Sequence, residues 1–195
     1  MGWASRHAAN AITALRVALT PLFAWAVLRA GDGHSGWPAA IAFALVAVSD
    51  FVDGRIARRF GAAGAAGRVF DHAADITFLL VAFGLYVALG VLPWWVPASV
   101  AVSFAAYVTD SLRRSGAHPR LIGSRLGHLG GICNYVLVGV LVGNVTLGLQ
   151  WLPPWTMHGL FALVPVYSAA SVASRWPGRQ RVATWGGDRA GRPLG

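Results

Sequence analysis

Apolar residues run through this chain in six long stretches, at about 10–29, 38–58, 71–91, 94–113, 126–148 and 155–174. Each approaches the roughly 20 helical residues that span the hydrocarbon core of a bilayer. Between them lie short connections rich in Gly, Pro and polar residues, such as GDGHSG and GVLPWWVP. The pattern predicts an all-α fold, an integral membrane bundle of six transmembrane helices occupying residues 1–175. Residues 176–195, basic and Gly-rich with little to bury, are expected to form a mobile tail near the lipid headgroups. Arg6 before the first stretch has the look of a leader. Arg16 and Pro21 interrupt its apolar core, however, and five more stretches follow, so cleavage there would change little.

Composition supports lipid as the solvent. Hydrophobic residues make up 56% of the 195 and charged residues 12%, about half the charged share of a soluble domain. All sixteen basic residues are Arg and all seven acids are Asp. Fourteen of the arginines fall in the N-terminal tail, around the second and fourth connections, or beyond the last span; only Arg29 falls on the other side, and Arg16 lies within span 1. This asymmetry predicts both termini in the cytoplasm and a multi-pass protein of the cytoplasmic (inner) membrane. Trp37, Trp94, Trp95, Trp151 and Trp155 mark the opposite ends of the spans, as an interfacial belt would. The net charge of +9 therefore points to anionic lipid and not to nucleic acid. Cys133 is a lone cysteine among apolar neighbours, and the six histidines are scattered without a zinc-binding spacing.

Four of the seven acids fall between residues 50 and 75, in or beside predicted spans, where an ionised carboxylate is costly and marks function by default. Asp50 and Asp53 are i,i+3 on the second span, and Asp71 and Asp75 are i,i+4 on the third, so each pair shares a helix face. A short Gly/Ala-rich link at 61–67 makes the two helices antiparallel neighbours, which lets the pairs converge near the cytoplasmic side. Converging carboxylates need cations, and hard oxygen donors select Mg²⁺, Mn²⁺ or Ca²⁺. Two such ions suit in-line displacement at a diphosphate. Gly54, Ala57 and Gly67 leave room beside the helices, and Arg58 suits phosphate. On spacing alone, structural ion pairs or a cation pathway remain open readings, and small residues also serve helix packing.

The stretch from Asp50 to Asp75 reads D-x2-D-G-x2-A-R-x8-G-x3-D-x3-D, with Asp50, Asp53, Gly54, Ala57, Arg58, Gly67, Asp71 and Asp75 at the eight fixed positions. It resembles the signature of the CDP-alcohol phosphotransferase (CDP-alcohol phosphatidyltransferase) family, and Asn10-AIT-ALR-VALTP resembles that family's first helix. The resemblance implies transfer of a phosphate-linked group between a CDP-linked lipid such as CDP-diacylglycerol and an alcohol, with release of CMP. It implies two divalent cations, Mg²⁺ or Mn²⁺, held by Asp50, Asp53, Asp71 and Asp75. Asp75 would also be the general base. Gly54, Ala57, Arg58, Gly67 and Asn10 would contact CDP, and a homodimer is common among such enzymes. A prenyltransferase of the aspartate-rich membrane type and a small cation transporter are the rival readings.

The acceptor is less legible. Arg113, Arg114, Arg120 and Arg125 lie around the fourth connection, on the side of the aspartates, where they could hold an acceptor phosphate or simply set topology; Asp110 could pair with them. Short family members often use glycerol 3-phosphate, as phosphatidylglycerophosphate synthases do, and that acceptor is the first expectation. Those enzymes commonly carry a Lys-containing stretch before span 5, and this chain has no Lys. Phosphatidylglycerol (as in cardiolipin synthase), inositol phosphate and serine remain alternatives.

Overall fold

The structure, a computed structural model, describes residues 3–60, 65–115 and 125–174, with side chains at 13–50, 70–111, 113 and 129–174. The described residues form α1 (Trp3–Gly31), α2 (Trp37–Phe60), α3 (Ala65–Ala88), α4 (Trp95–Ser115), α5 (Arg125–Leu141), a π-helical turn (Val142–Thr146) and α6 (Pro154–Ser174). No strand occurs among them. The all-α expectation holds, with one helix at each predicted stretch. The predicted link at 61–67 is shorter than expected, because α3 begins at Ala65 and carries Gly67. The end of the fifth stretch is likewise a π turn and a Gly-containing loop.

Four segments among the described residues are long and apolar enough to cross a membrane: Thr13–Gly31, Phe70–Ala88, Leu129–Thr146 and Pro154–Ser174. They mark a multi-pass membrane protein. In α2 the apolar run is shorter, Trp37–Asp50, since acids and arginines follow it. Helix α4 is diluted by Ser99, Ser103, Thr109, Asp110 and Ser111.

Helix α1 shows how such helices divide their surfaces. Thr13, Arg16, Leu19, Thr20, Phe23, Ala26 and Val27 are buried, while Leu15, Val17, Leu22, Trp25 and Leu28 are exposed. The buried set follows the helical period, yet both faces are largely apolar. One face meets protein and the other suits lipid. Helix α1 packs against α2 and α3, α3 also packs against α4 and α5, and α6 packs against α4 and α5. Phe78, fully buried on α3, is the hub. Its ring lies 5.3 Å from that of Phe23 on α1, 6.5 Å from Phe43 on α2 and 5.8 Å from Tyr135 on α5.

One end of the bundle is closed by tight connections. Helices α1 and α3 both stop in Schellman motifs, with Gly33 (φ 86°) and Gly90 (φ 71°) in the left-handed conformation. His34 N–H donates to Arg29 O and Val91 N–H to Tyr86 O, both i→i−5 bonds. Tyr86 and Thr146 share a hydroxyl hydrogen bond of 2.7 Å, and Asn144 brackets Leu152 through both its backbone N–H and C=O. Trp37, Trp94, Trp151 and Trp155 are exposed here, with Trp95 at the same end. The acids lie toward the opposite end: Asp75 is eleven residues before Tyr86, about 16 Å along α3.

Candidate active site

Three helices bring one charge cluster together. Asp71 and Asp75 lie one turn apart on α3, Asp50 on α2, and a carboxylate oxygen from each falls within 4.8 Å of the others. Such oxygens repel one another unless a cation stands among them. In this structure the cation is Arg16 of α1. Its Nη1 donates to Asp71 Oδ1 at 2.9 Å and to Asp75 Oδ1, and its Nη2 donates to Asp50 Oδ1 at 3.3 Å. The Arg16 side chain is completely buried, whereas those of Asp50, Asp71 and Asp75 are 40%, 32% and 24% exposed. Arg16 is thus the buried side of the cluster, and the carboxylates are partly exposed.

Tyr135 of α5 adds a second support. Its hydroxyl donates to Asp75 Oδ1 at 3.2 Å, and its ring stacks on Phe78, one turn beyond Asp75. Asp75 is therefore fixed by α1 and α5 together. Tyr135→Phe keeps the ring contact and removes the hydroxyl. It is expected to destabilise the detergent-solubilised protein by about 1.5–3 kcal/mol, the scale of a hydrogen bond to a charged group. The midpoint of thermal unfolding reads this, and an unchanged midpoint would mean that the hydroxyl does not support Asp75.

Of the site residues expected from sequence, the structure brings together Asp50, Asp71 and Asp75. The α2 backbone carries Asp53, Gly54 and Ala57 onto the register of Asp50, and Gly67 precedes Asp71 by one turn on α3. The side chains of Asn10, Asp53, Ala57 and Arg58 lie outside the described residues, as do the surroundings of Gly54 and Gly67. Arg113 is exposed near the end of α4. The side chains of Arg114 and Arg125 fall outside the described residues, and so does all of Arg120 and of the tail from 175 to 195. Sequence reasoning did not assign Arg16 or Tyr135 a role. A lone arginine within an apolar span is a signal in itself, whereas Tyr135 looks like any aromatic of an apolar stretch.

The donor set suits a hard divalent cation: carboxylate oxygens alone, close together, partly open, and already drawing in a positive group. A model of the CDP-alcohol phosphatidyltransferase family matches residues 6–163. Cardiolipin synthase (CMP-forming) of Streptomyces coelicolor is 34% identical over 115 residues, covering 56% of this chain and 53% of that protein. A probable phosphatidylglycerophosphate synthase of Mycobacterium tuberculosis is 37% identical over 91 residues, 45% of this chain and 43% of the relative. A putative cardiolipin synthase of the same organism is 36% identical over 89 residues, 44% and 40% of the two chains. The matches thus span about half the length of these relatives, or less.

Proposed function

Because the chain belongs to the CDP-alcohol phosphatidyltransferase family, we propose that it transfers the phosphatidyl group of CDP-diacylglycerol to a glycerol hydroxyl and releases CMP. The observation that carries this reading is the convergence of Asp50, Asp71 and Asp75 from two helices onto one partly open site. Two divalent cations, Mg²⁺ or Mn²⁺, would be held by these acids and Asp53, and when bound they would neutralise the diphosphate and the charge of the departing CMP.

The chain's own residues do the rest. Asp75, held in place by Arg16 and Tyr135, takes the proton from the acceptor hydroxyl. The acceptor oxygen then bonds to the lipid-linked phosphorus as the bond from that phosphorus to the oxygen of CMP breaks. Gly54, Ala57 and Gly67 leave room for the CDP moiety, Arg58 meets its phosphate charge, and Asn10 reaches it from α1. Helices α2 and α4 complete six crossings, with both termini and the site at the cytoplasmic face of the inner membrane. A second copy of the chain is the expected protein partner.

Glycerol 3-phosphate is the first acceptor proposed, with Arg113, Arg114, Arg120 and Arg125 as candidates to hold its phosphate. Phosphatidylglycerol is the second, favoured by the Streptomyces coelicolor relative named cardiolipin synthase. Both offer a primary glycerol hydroxyl. The test is CMP release by the purified full chain given CDP-diacylglycerol, Mg²⁺ or Mn²⁺, and glycerol 3-phosphate, phosphatidylglycerol, inositol phosphate or serine separately. Release with the first or second acceptor names the reaction. Release only with inositol phosphate or serine would replace the glycerol reading, and release with none would remove it.

A further inference from the structure

Arg16 is bound unlike a structural arginine. A permanent buried pair is usually a fork, with two parallel N–H bonds to one carboxylate. Here a single nitrogen, Nη1, is shared by Asp71 and Asp75, and Nη2 reaches a third acid at the long distance of 3.3 Å. Arg16 Nε is buried and has no hydrogen-bond partner among the described residues. The guanidinium is thus placed by its charge, at the focus of three acids, and not by a complete set of hydrogen bonds. The carboxylates, partly exposed where Arg16 is buried, remain within reach of a second cation.

We propose that Arg16 is the resident counter-ion of the acid cluster: it holds Asp50, Asp71 and Asp75 together before a divalent cation arrives, and its charge weakens the hold on that cation. The proposal rests on the divalent-cation reading of the cluster. Two consequences follow from Coulomb attraction in a medium of low effective dielectric. Without Arg16 the metal-free protein loses the buried cation between Asp50, Asp71 and Asp75 and loses stability. Without Arg16 the same carboxylates also bind a divalent ion more tightly.

The test titrates Mn²⁺ alone into the detergent-purified full chain after chelation, following both thermal unfolding and free Mn²⁺ by electron paramagnetic resonance. Arg16→Gln is expected to lower the metal-free melting temperature, to recover it when Mn²⁺ is saturating, and to bind Mn²⁺ about tenfold or more tightly. Arg16→Lys keeps the charge and is expected to stay within about threefold of wild type. If Arg16→Gln does not accumulate, Arg16→Met, purified with Mn²⁺ present and then chelated, takes its place with the same expectation. Unchanged or weaker Mn²⁺ binding in the neutral variant overturns the proposal, as does a Lys variant that tightens as much as the neutral one. Wild-type protein that binds no Mn²⁺ at all defeats the divalent-cation reading instead, so the two failures are distinguishable.

Discussion

Asp75→Asn is expected to lower CMP release by about a thousandfold or more while CDP-diacylglycerol still binds. General-base catalysis contributes roughly 10²–10⁴ in rate, and Asp75 is proposed to combine that role with metal ligation. The substitution is close to isosteric. An amide oxygen can still accept from Arg16 and from Tyr135, the two groups that fix Asp75 in the folded chain. The fold is therefore retained and what disappears is a group able to take a proton. Single-turnover CMP release and binding of labelled CDP-diacylglycerol, measured on the same preparation, separate chemistry from binding. A variant that turns over within tenfold of wild type would remove Asp75 as the base. One that loses donor binding in proportion would make Asp75 a ligand of the CDP site instead.

Why Asp75 was visible in the sequence, and Arg16 was not, has a physical answer. Helical spacing puts Asp71 and Asp75 one turn apart whatever the rest of the chain does, and a short connection brings the acid-bearing ends of α2 and α3 together, although the helix that α2 packs on is α1 and not the expected neighbour α3. Local geometry therefore carries most of the information about the acids. Arg16 meets Asp50, Asp71 and Asp75 across 34, 55 and 59 residues, and no local rule fixes how α1 rotates against α2 and α3. In the sequence Arg16 interrupted an apolar stretch and fell within the segment that resembles the family's first helix, but nothing there gave it a partner. Tyr135 is a similar case, sixty residues from Asp75 and set in place by the stacking of its ring on Phe78.

The fold divided in the same way. Hydrophobic stretches located each described helix, and four of the segments are apolar over the full length that a bilayer requires. Helix ends were less legible, since a helix continues past the apolar core wherever its backbone bonds can still form. Thus α1 starts at Trp3 and α3 at Ala65, ahead of the expected 10 and 71. The π turn at Val142–Thr146 depends on Asn144 bonding to Leu152 and on Tyr86 meeting Thr146, contacts that hydropathy does not encode. The acceptor arginines failed to resolve for a different reason. A positive charge at a connection between spans serves topology and phosphate binding equally well, and Arg113, exposed on α4, satisfies either.

Chelation is the second large effect, and Arg16 decides what kind of loss it is. Excess EDTA is expected to reduce CMP release to below about 1% of the metal-loaded rate, because charge neutralisation of a diphosphate is worth several kcal/mol at the transition state. Mg²⁺ or Mn²⁺ should restore it. In a cluster without Arg16, removing the metal would leave like charges facing one another in a partly buried site, and the destabilisation would be severe: breaking a buried ion pair costs about 3–5 kcal/mol. With Arg16 bridging Asp50, Asp71 and Asp75, the chelated protein keeps a counter-ion and should remain folded. The loss is therefore expected to be complete in activity, small in melting temperature and reversible on adding metal. Turnover that persists in EDTA would end the metal-dependent reading. Activity lost together with the fold would instead show that the bound metal, and not Arg16, holds the acids in place.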